Sequence, residues 1–285
     1  MGIVSLGLGG VGSGLHSAST ASLELNHHYI TLQRLPTIFD GLRIGIISDL
    51  HSSSMVGSAM LKRALALVKE SNPDMIVLLG DYISSSLDRF TQKYKKINSE
   101  HTNDFLKVFR DISAPMGVYA VLGNHDFWSG RAAVEMLVKG LPNAKWLRNE
   151  GIVIMQGGEH LMIAGVDDYW HSYSLERALG KSDVCKVLLS HNPDVNMDID
   201  RKGRHVDLVL SGHTHGGQIV LPFVGALFLP VKTGRRYQEG IVQDGQRLTF
   251  VSRGVGTVIL PFRLKCPPEV SVLTLRSVKR ATGKT

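Results

Sequence analysis

Short, almost uninterrupted apolar runs recur along this chain, and five of them end abruptly in aspartate, histidine or asparagine. Residues 42–48 deliver Asp49-Leu50-His51, and residues 75–79 deliver Gly80-Asp81. Residues 118–122 lead into Gly123-Asn124-His125-Asp126, residues 184–190 into His191, and residues 206–211 into Gly212-His213-Thr214-His215. A run of about four to eight apolar residues bounded by turn residues reads as a strand buried on both faces. Ligand-bearing side chains at the ends of such strands can meet along one sheet edge, where α/β folds hold their ligands.

The segments between these runs support the same architecture. A helix is expected over residues 58–71, with Leu61, Leu65 and Val68 on its apolar face and Asn72-Pro73 as its stop. The polar stretch 83–101, with Arg89, Lys93, Lys95 and Lys96, reads as a surface insertion leading into a helix at 105–109. A further helix is expected at 132–139, and further strands at 152–155, 161–166, 218–221, 248–252 and 270–275. Strands that alternate with helices early and dominate late suit an α/β fold of two packed sheets with helices on both outer faces.

At 285 residues and 43% hydrophobic composition, the chain can bury a substantial core. Residues 23–285 read as a single domain. Residues 1–22 read as a flexible leader or the remnant of a signal or anchor: they are apolar and glycine-rich, but lack the positive start of a signal peptide. No apolar stretch reaches the length of a membrane span. Cys185 and Cys266 are far apart and form neither a disulfide framework nor a metal knuckle. The net charge of +7 favours an anionic partner. With 20% charged residues and no polybasic tail, nucleic acid is the less favoured one.

Divalent cations take carboxylate oxygen, imidazole nitrogen and amide oxygen as ligands. Asp49 and His51, two apart, would share one face of an extended segment and bind one ion. Asp81 can bridge two ions, Asn124 offers a neutral oxygen, and His191, His213 and His215 offer imidazoles, the last two from one face of an extended turn. Two ions about 3.5–4 Å apart would clamp the attacking and leaving oxygens of an in-line displacement at phosphorus, with hydroxide between them as nucleophile. His125 is placed to donate a proton or hydrogen bond to the leaving oxygen, and Asp126 to orient His125 or favour its protonated form. Residues 167–171 follow a strand and are a candidate border of the site.

These motifs, in this order, resemble the calcineurin-like metallophosphoesterase superfamily, whose pattern DxH, GD, GNH(D/E), H, GHxH is matched at every element. Phe39-Asp40-Gly41, Gly212 through Gln218, Leu221-Pro222-Phe223, Ser252 through Gly256 and Pro261 resemble one bacterial phosphodiesterase-like branch that often carries an N-terminal signal or membrane anchor. The resemblance implies a four-layer α/β/β/α sandwich of two mixed sheets flanked by helices. It implies one metal held by Asp49, His51, Asp81 and His215, and a second held by Asp81, Asn124, His191 and His213. The metals of the family are Mn, Fe, Zn or mixtures. The branch implies a membrane-associated or exported bacterial protein, with a cytoplasmic one as the alternative.

The substrate must be read elsewhere. Residues 221–230 form an apolar loop that could meet a membrane interface or hold an acyl chain, or lie buried as a hairpin. Arg235, Arg236, Arg253 and Arg263 could grip a second phosphate, and Trp128 and Trp170 could stack a base or sugar. These hints lean toward a phosphodiester or phosphoanhydride on a phosphorylated small molecule or lipid, with peripheral membrane contact as a corollary. Related branches of the family include UDP-diacylglucosamine pyrophosphatases of lipid A synthesis, and the resemblance therefore implies UDP-diacylglucosamine as the leading case. A nuclease or general phosphodiesterase is the alternative. A non-catalytic scaffold on the same fold is disfavoured by the complete motif set. Oligomeric state is not legible.

Overall fold

A computed structural model describes residues 15–17, 22–84 and 92–278. Most of the leader and Arg89 lie outside the described residues. Two six-stranded sheets form the centre of the fold. Across its width the first holds Glu24–Leu32, Glu269–Ser277, Arg43–Ile47, Met75–Leu78, Val118–Ala120 and Ala144–Trp146. All neighbours in it are parallel except Glu269–Ser277 against Arg43–Ile47. The second holds Gly240–Asp244, Arg247–Val251, Leu208–Ser211, Cys185–Leu189, Glu159–Gly165 and Glu150–Gln156. Its inner pairings are parallel and its two edge pairings antiparallel.

Alternation along the strands explains why the apolar runs are continuous. Ile44, Ile46, Met75 and Val77 point between the sheets, where they join Val187, Leu189, Leu208, Leu210 and Phe250. Their neighbours Ile47, Ile76 and Leu78 point the other way, against Leu61, Ala64 and Val68 of helix Ser58–Glu70 and Phe105 and Phe109 of helix Gln92–Phe109. On the far face, Leu188 and Val209 pack on Leu175, Val195 and Ile199 of helices Leu175–Leu179 and Val195–Arg201. Both faces of both sheets are therefore apolar, and the molecule has the four layers α/β/β/α.

The parallel register brings the strand ends level. Ile47 lies opposite Leu78, and Leu78 opposite Ala120. Beyond the strands the backbones stay joined: Asp49 N–H donates to Gly80 O at 3.1 Å, His51 N–H to Asp81 O at 2.9 Å and Gly212 N–H to His191 O at 3.0 Å. The motifs thus converge at one end of the paired sheets.

Three local features differ from the sequence reading. The helix expected at 105–109 begins already at Gln92; its first turns are polar, so apolar periodicity gave no signal there. The strand expected at 218–221 shrinks to Val220–Leu221, half of a small hairpin with Gly225–Ala226. Within the leader expected to be flexible, Leu15–Ser17 pairs antiparallel with Phe262–Leu264.

Candidate metal centre

Among the described residues, three overlapping groups place ligand atoms within 4.8 Å of one another: Asp49, His51 and His215; His51, Asp81 and His125; Asp81, His191 and His213. Asp81 Oδ2 lies 3.5 Å from His51 Nε2 on one side and 3.2 Å from His191 Nε2 on the other. Asn124 Oδ1 stands 3.2 Å from His191 Nε2. The seven candidate ligands Asp49, His51, Asp81, Asn124, His191, His213 and His215 are therefore brought together, and all are buried.

The backbone route differs from the extended segments expected. Asp49, His51, Asp81, His213 and His215 all sit at positive φ, between 47° and 72°. Side-chain-bearing residues adopt this left-handed region at a cost, and such strain collects at functional sites. It folds each motif into a tight turn that aims its side chain over the strand ends. Close approach also demands glycine. A Cβ on Gly123 would overlap the Asp81 carboxylate, and one on Gly212 would overlap Ser48 Oγ and the Asp49 carboxylate.

Hydrogen bonds set which ring nitrogen faces the cluster. His191 Nδ1–H donates to Leu79 O at 2.8 Å, so Nε2 is the nitrogen turned toward Asp81. His213 Nε2–H donates to Pro230 O at 2.9 Å, so its Nδ1 faces His191 Nε2 at 3.2 Å. Backbone carbonyls behind a ligating histidine fix its tautomer and orientation in this way. Asp49 is held by Ser48 Oγ–H at 2.5 Å and by His213 N–H at 3.0 Å.

The electrostatics are those of a site built for cations. Burial drives His51 and His215 well below the usual imidazole range, helped by His125 in the first case and Arg263 in the second. Burial, then the charge of His191, brings His213 down to about 4. Burial also disfavours a charged His191, but Asp81 outweighs it and raises that ring to about 10. Asp81 in turn is held well below the carboxylate range: burial opposes, and His191 and His125 prevail. Two carboxylates, an amide oxygen and four imidazoles facing one another without solvent fit divalent cations. His51 Nε2 and His215 Nε2, 3.0 Å apart, can share only one proton between them.

Asp126, expected to orient His125, receives three backbone N–H groups: Asp81 and Gly123 on Oδ2 and Tyr82 on Oδ1, each at 2.9 Å. It braces the two turns that carry Asp81 and Asn124. Burial, then the adjacent Asp81, pushes its carboxyl up to about 8. The His125 ring meets His51 edge-on at 4.7 Å between centroids, and the backbone N–H of His125 donates to Asp81 Oδ1 at 2.8 Å.

The four arginines offered as phosphate grips have other partners. Arg263 is buried and donates to the carbonyls of His215, Arg253, Gly254 and Gly256 and to His215 Nδ1. Arg253 pairs with Glu24 and Glu269, Arg236 with Asp244, and Arg235 with Val224 O. The role of Arg263 beneath His215 escaped the sequence reading because its partners are mostly main-chain atoms. Of residues 167–171, Trp170 borders the cluster: its ring stands edge-on to His213 at 4.8 Å and stacks on Trp128 at 5.9 Å. His171 stacks on Phe127 and bonds Asp168.

This geometry defines a metal-dependent phosphoesterase, and the chain belongs to the calcineurin-like phosphoesterase family, which matches residues 42–217. It is similar to the uncharacterized metallophosphoesterase YkuE of Bacillus subtilis, 32% identical over 90% of this chain and 86% of the relative. It is also similar to the phosphodiesterase YaeI of Escherichia coli, 31% identical over 82% of each chain. A solved NAD nucleotidase of Haemophilus influenzae is similar over 75% of this chain and 45% of its own, with 17% identity and a TM-score of 0.44. The chain is thus a phosphoric ester hydrolase that binds divalent metal. Among the described residues no helix is long and apolar enough to cross a membrane.

Proposed function

We propose that this chain is a binuclear metallohydrolase that cleaves a phosphodiester or phosphoanhydride bond on an amphiphilic substrate, of which UDP-diacylglucosamine is one example. The observation that carries the binuclear reading is Asp81, whose single oxygen Oδ2 reaches both the His51 side and the His191 side of the cluster. Asp49, His51 and His215 would hold one cation with Asp81; Asn124, His191 and His213 would hold the other. Bound cations would supply Lewis acidity to the phosphoryl oxygens and lower the proton affinity of the attacking water.

The chain's own residues do the rest. His125, partly exposed at the mouth of the cluster, is positioned to give a proton to the leaving oxygen. The carbonyls of Leu79 and Pro230 keep His191 and His213 in the ligating tautomer. Trp170, 41% exposed and backed by Trp128, forms a wall against which the organic part of a substrate can lie. The amphiphile is supported by the apolar loop beside His213, which the Pro230 carbonyl ties to the site.

The test has two stages. Metal-loaded protein should hydrolyse bis(p-nitrophenyl) phosphate and lose that activity in EDTA; full activity after thorough chelation would sink the metal reading. Detergent-dispersed UDP-diacylglucosamine is then compared with single-stranded DNA. Preferential cleavage of the DNA would replace the amphiphile with a nuclease.

A further inference from the structure

Among the described residues the exposed large apolar side chains, Tyr29 and Met155 among them, are scattered except for one concentration. Phe223 is 110% exposed, Ile259 83%, Phe228 70%, Leu227 58% and Val224 53%. They lie on two loops, 221–230 and 257–262, that share a base. Gln218 Nε2 donates to the carbonyls of Val258, Leu260 and Phe262 at 3.0–3.1 Å, and its Oε1 accepts from Val258 N–H at 2.9 Å. The same base follows directly on His215, and Leu264 N–H closes it onto Gln218 O.

The two tips are alike in an unusual way. Phe223 and Ile259 both sit in the left-handed region, at φ 65° and 64°. A solvent-facing turn in that region ordinarily carries glycine or asparagine, and a β-branched residue there is an outlier. An apolar side chain held out at a strained tip gains nothing from water.

Charge narrows what the tips meet. Residues 208–238 and 245–268 contain no Asp or Glu at all. The exposed cations Lys232 and Arg235 follow the first loop in sequence and Lys265 the second, and Arg235 donates to Val224 O. Apolar prongs on segments whose own charged residues are all basic match the interface of an anionic bilayer, which takes apolar groups below its headgroups and cations among them. The strand Leu15–Ser17 pairs with Phe262–Leu264 at the base of the second loop.

We propose that loops 221–230 and 257–262 form a two-pronged anchor that docks this protein on anionic membrane surfaces, with Phe223 and Ile259 as the inserting residues. Docking would hold the mouth of the metal centre at the headgroup level. That consequence for catalysis rests on the amphiphile reading; the docking itself does not.

The full chain is sedimented with vesicles of phosphatidylcholine and phosphatidylglycerol in equal parts, and with pure phosphatidylcholine. The protein should pellet with the anionic vesicles and be released in part by 0.5 M NaCl. Removing each prong should weaken partitioning by about tenfold or more, so F223S/I259S should stay in the supernatant while hydrolysing bis(p-nitrophenyl) phosphate as the parent does. The parent remaining in solution with both vesicles, or the double variant pelleting as well as the parent, overturns the proposal. So does a concentration-dependent dimer abolished by F223S/I259S, which would assign the face to a second copy. Vesicle binding without cleavage of a lipid diphosphate would sink the amphiphile reading and leave the anchor standing.

Discussion

Asp126 is the residue on which a catalytic and a bracing role make opposite forecasts. Its carboxylate takes N–H groups from Asp81, Tyr82 and Gly123. All three lie on the turns that present Asp81 and Asn124, and the residue is fully buried. In Asp126→Asn, an amide oxygen placed at Oδ2 keeps the Asp81 and Gly123 donors, while the NH2 faces the N–H of Tyr82. One buried donor is then unsatisfied, at about 1–3 kcal/mol. Asp126→Ala strands all three, on the order of 3–6 kcal/mol if partial relaxation is allowed for, a large share of a typical stability of about 5–15 kcal/mol. Urea unfolding should therefore rank the proteins parent, Asn, Ala. Metal affinity should follow the same order, falling about 10–100-fold as the supporting bonds are lost.

The carboxyl's position near 8 adds a signature in pH. A folded-state value raised above 3.8 contributes stability that is full below that pH and is lost as pH rises through about 8. The parent should thus lose urea resistance relative to Asp126→Asn between pH 5 and 8.5. The opposite pattern refutes the reasoning: an Asn variant as stable as the parent at every pH, with full metal content and a turnover lowered about 100-fold or more, would make Asp126 the orienting partner of His125.

His125→Ala should lower turnover of bis(p-nitrophenyl) phosphate by about 10²–10⁴-fold with metal content unchanged by plasma mass spectrometry; loss of metal would instead make it a ligand. Arg263→Met should cost more than about 3 kcal/mol in urea unfolding, because four carbonyls and His215 Nδ1 lose a buried donor; a stability equal to the parent's would contradict its role as a brace. Gly212→Ala should lose metal and activity together, since the new methyl group displaces Asp49. In chelated protein, the depressed values of His51, His213 and His215 mean that the unfolded chain takes up protons first. The stability that these three rings contribute should be present above pH 6.5 and lost as pH drops toward about 4; urea midpoints that stay flat between pH 6.5 and 4 would argue against neutral, buried imidazoles.

What could be read from residues alone follows a physical division. The strands were legible because Ile44, Ile46, Met75 and Val77 face one core while Ile47, Ile76 and Leu78 face another, so burial on both sides writes itself as uninterrupted apolar sequence. The ligands were legible because metal chemistry demands particular side chains, whatever the backbone does. Asp49 and His51 were expected along an extended strand and in fact sit in left-handed turns, yet they reach the same cluster. Side chains whose partners are main-chain atoms left no such trace. Asp126 bonds three N–H groups and Arg263 four carbonyls, and any residue type supplies those partners, so nothing in the spacing announces them. The early turns of helix Gln92–Phe109 were hidden for a related reason: a polar segment carries no apolar stripe to count. The apolar loop at 221–230 is the intermediate case. Its composition allowed either a buried hairpin or an exposed one, and only the exposure of Phe223 and Phe228 decides between them. Motifs therefore announce the reaction, while bracing and docking depend on backbone placement that composition alone leaves open.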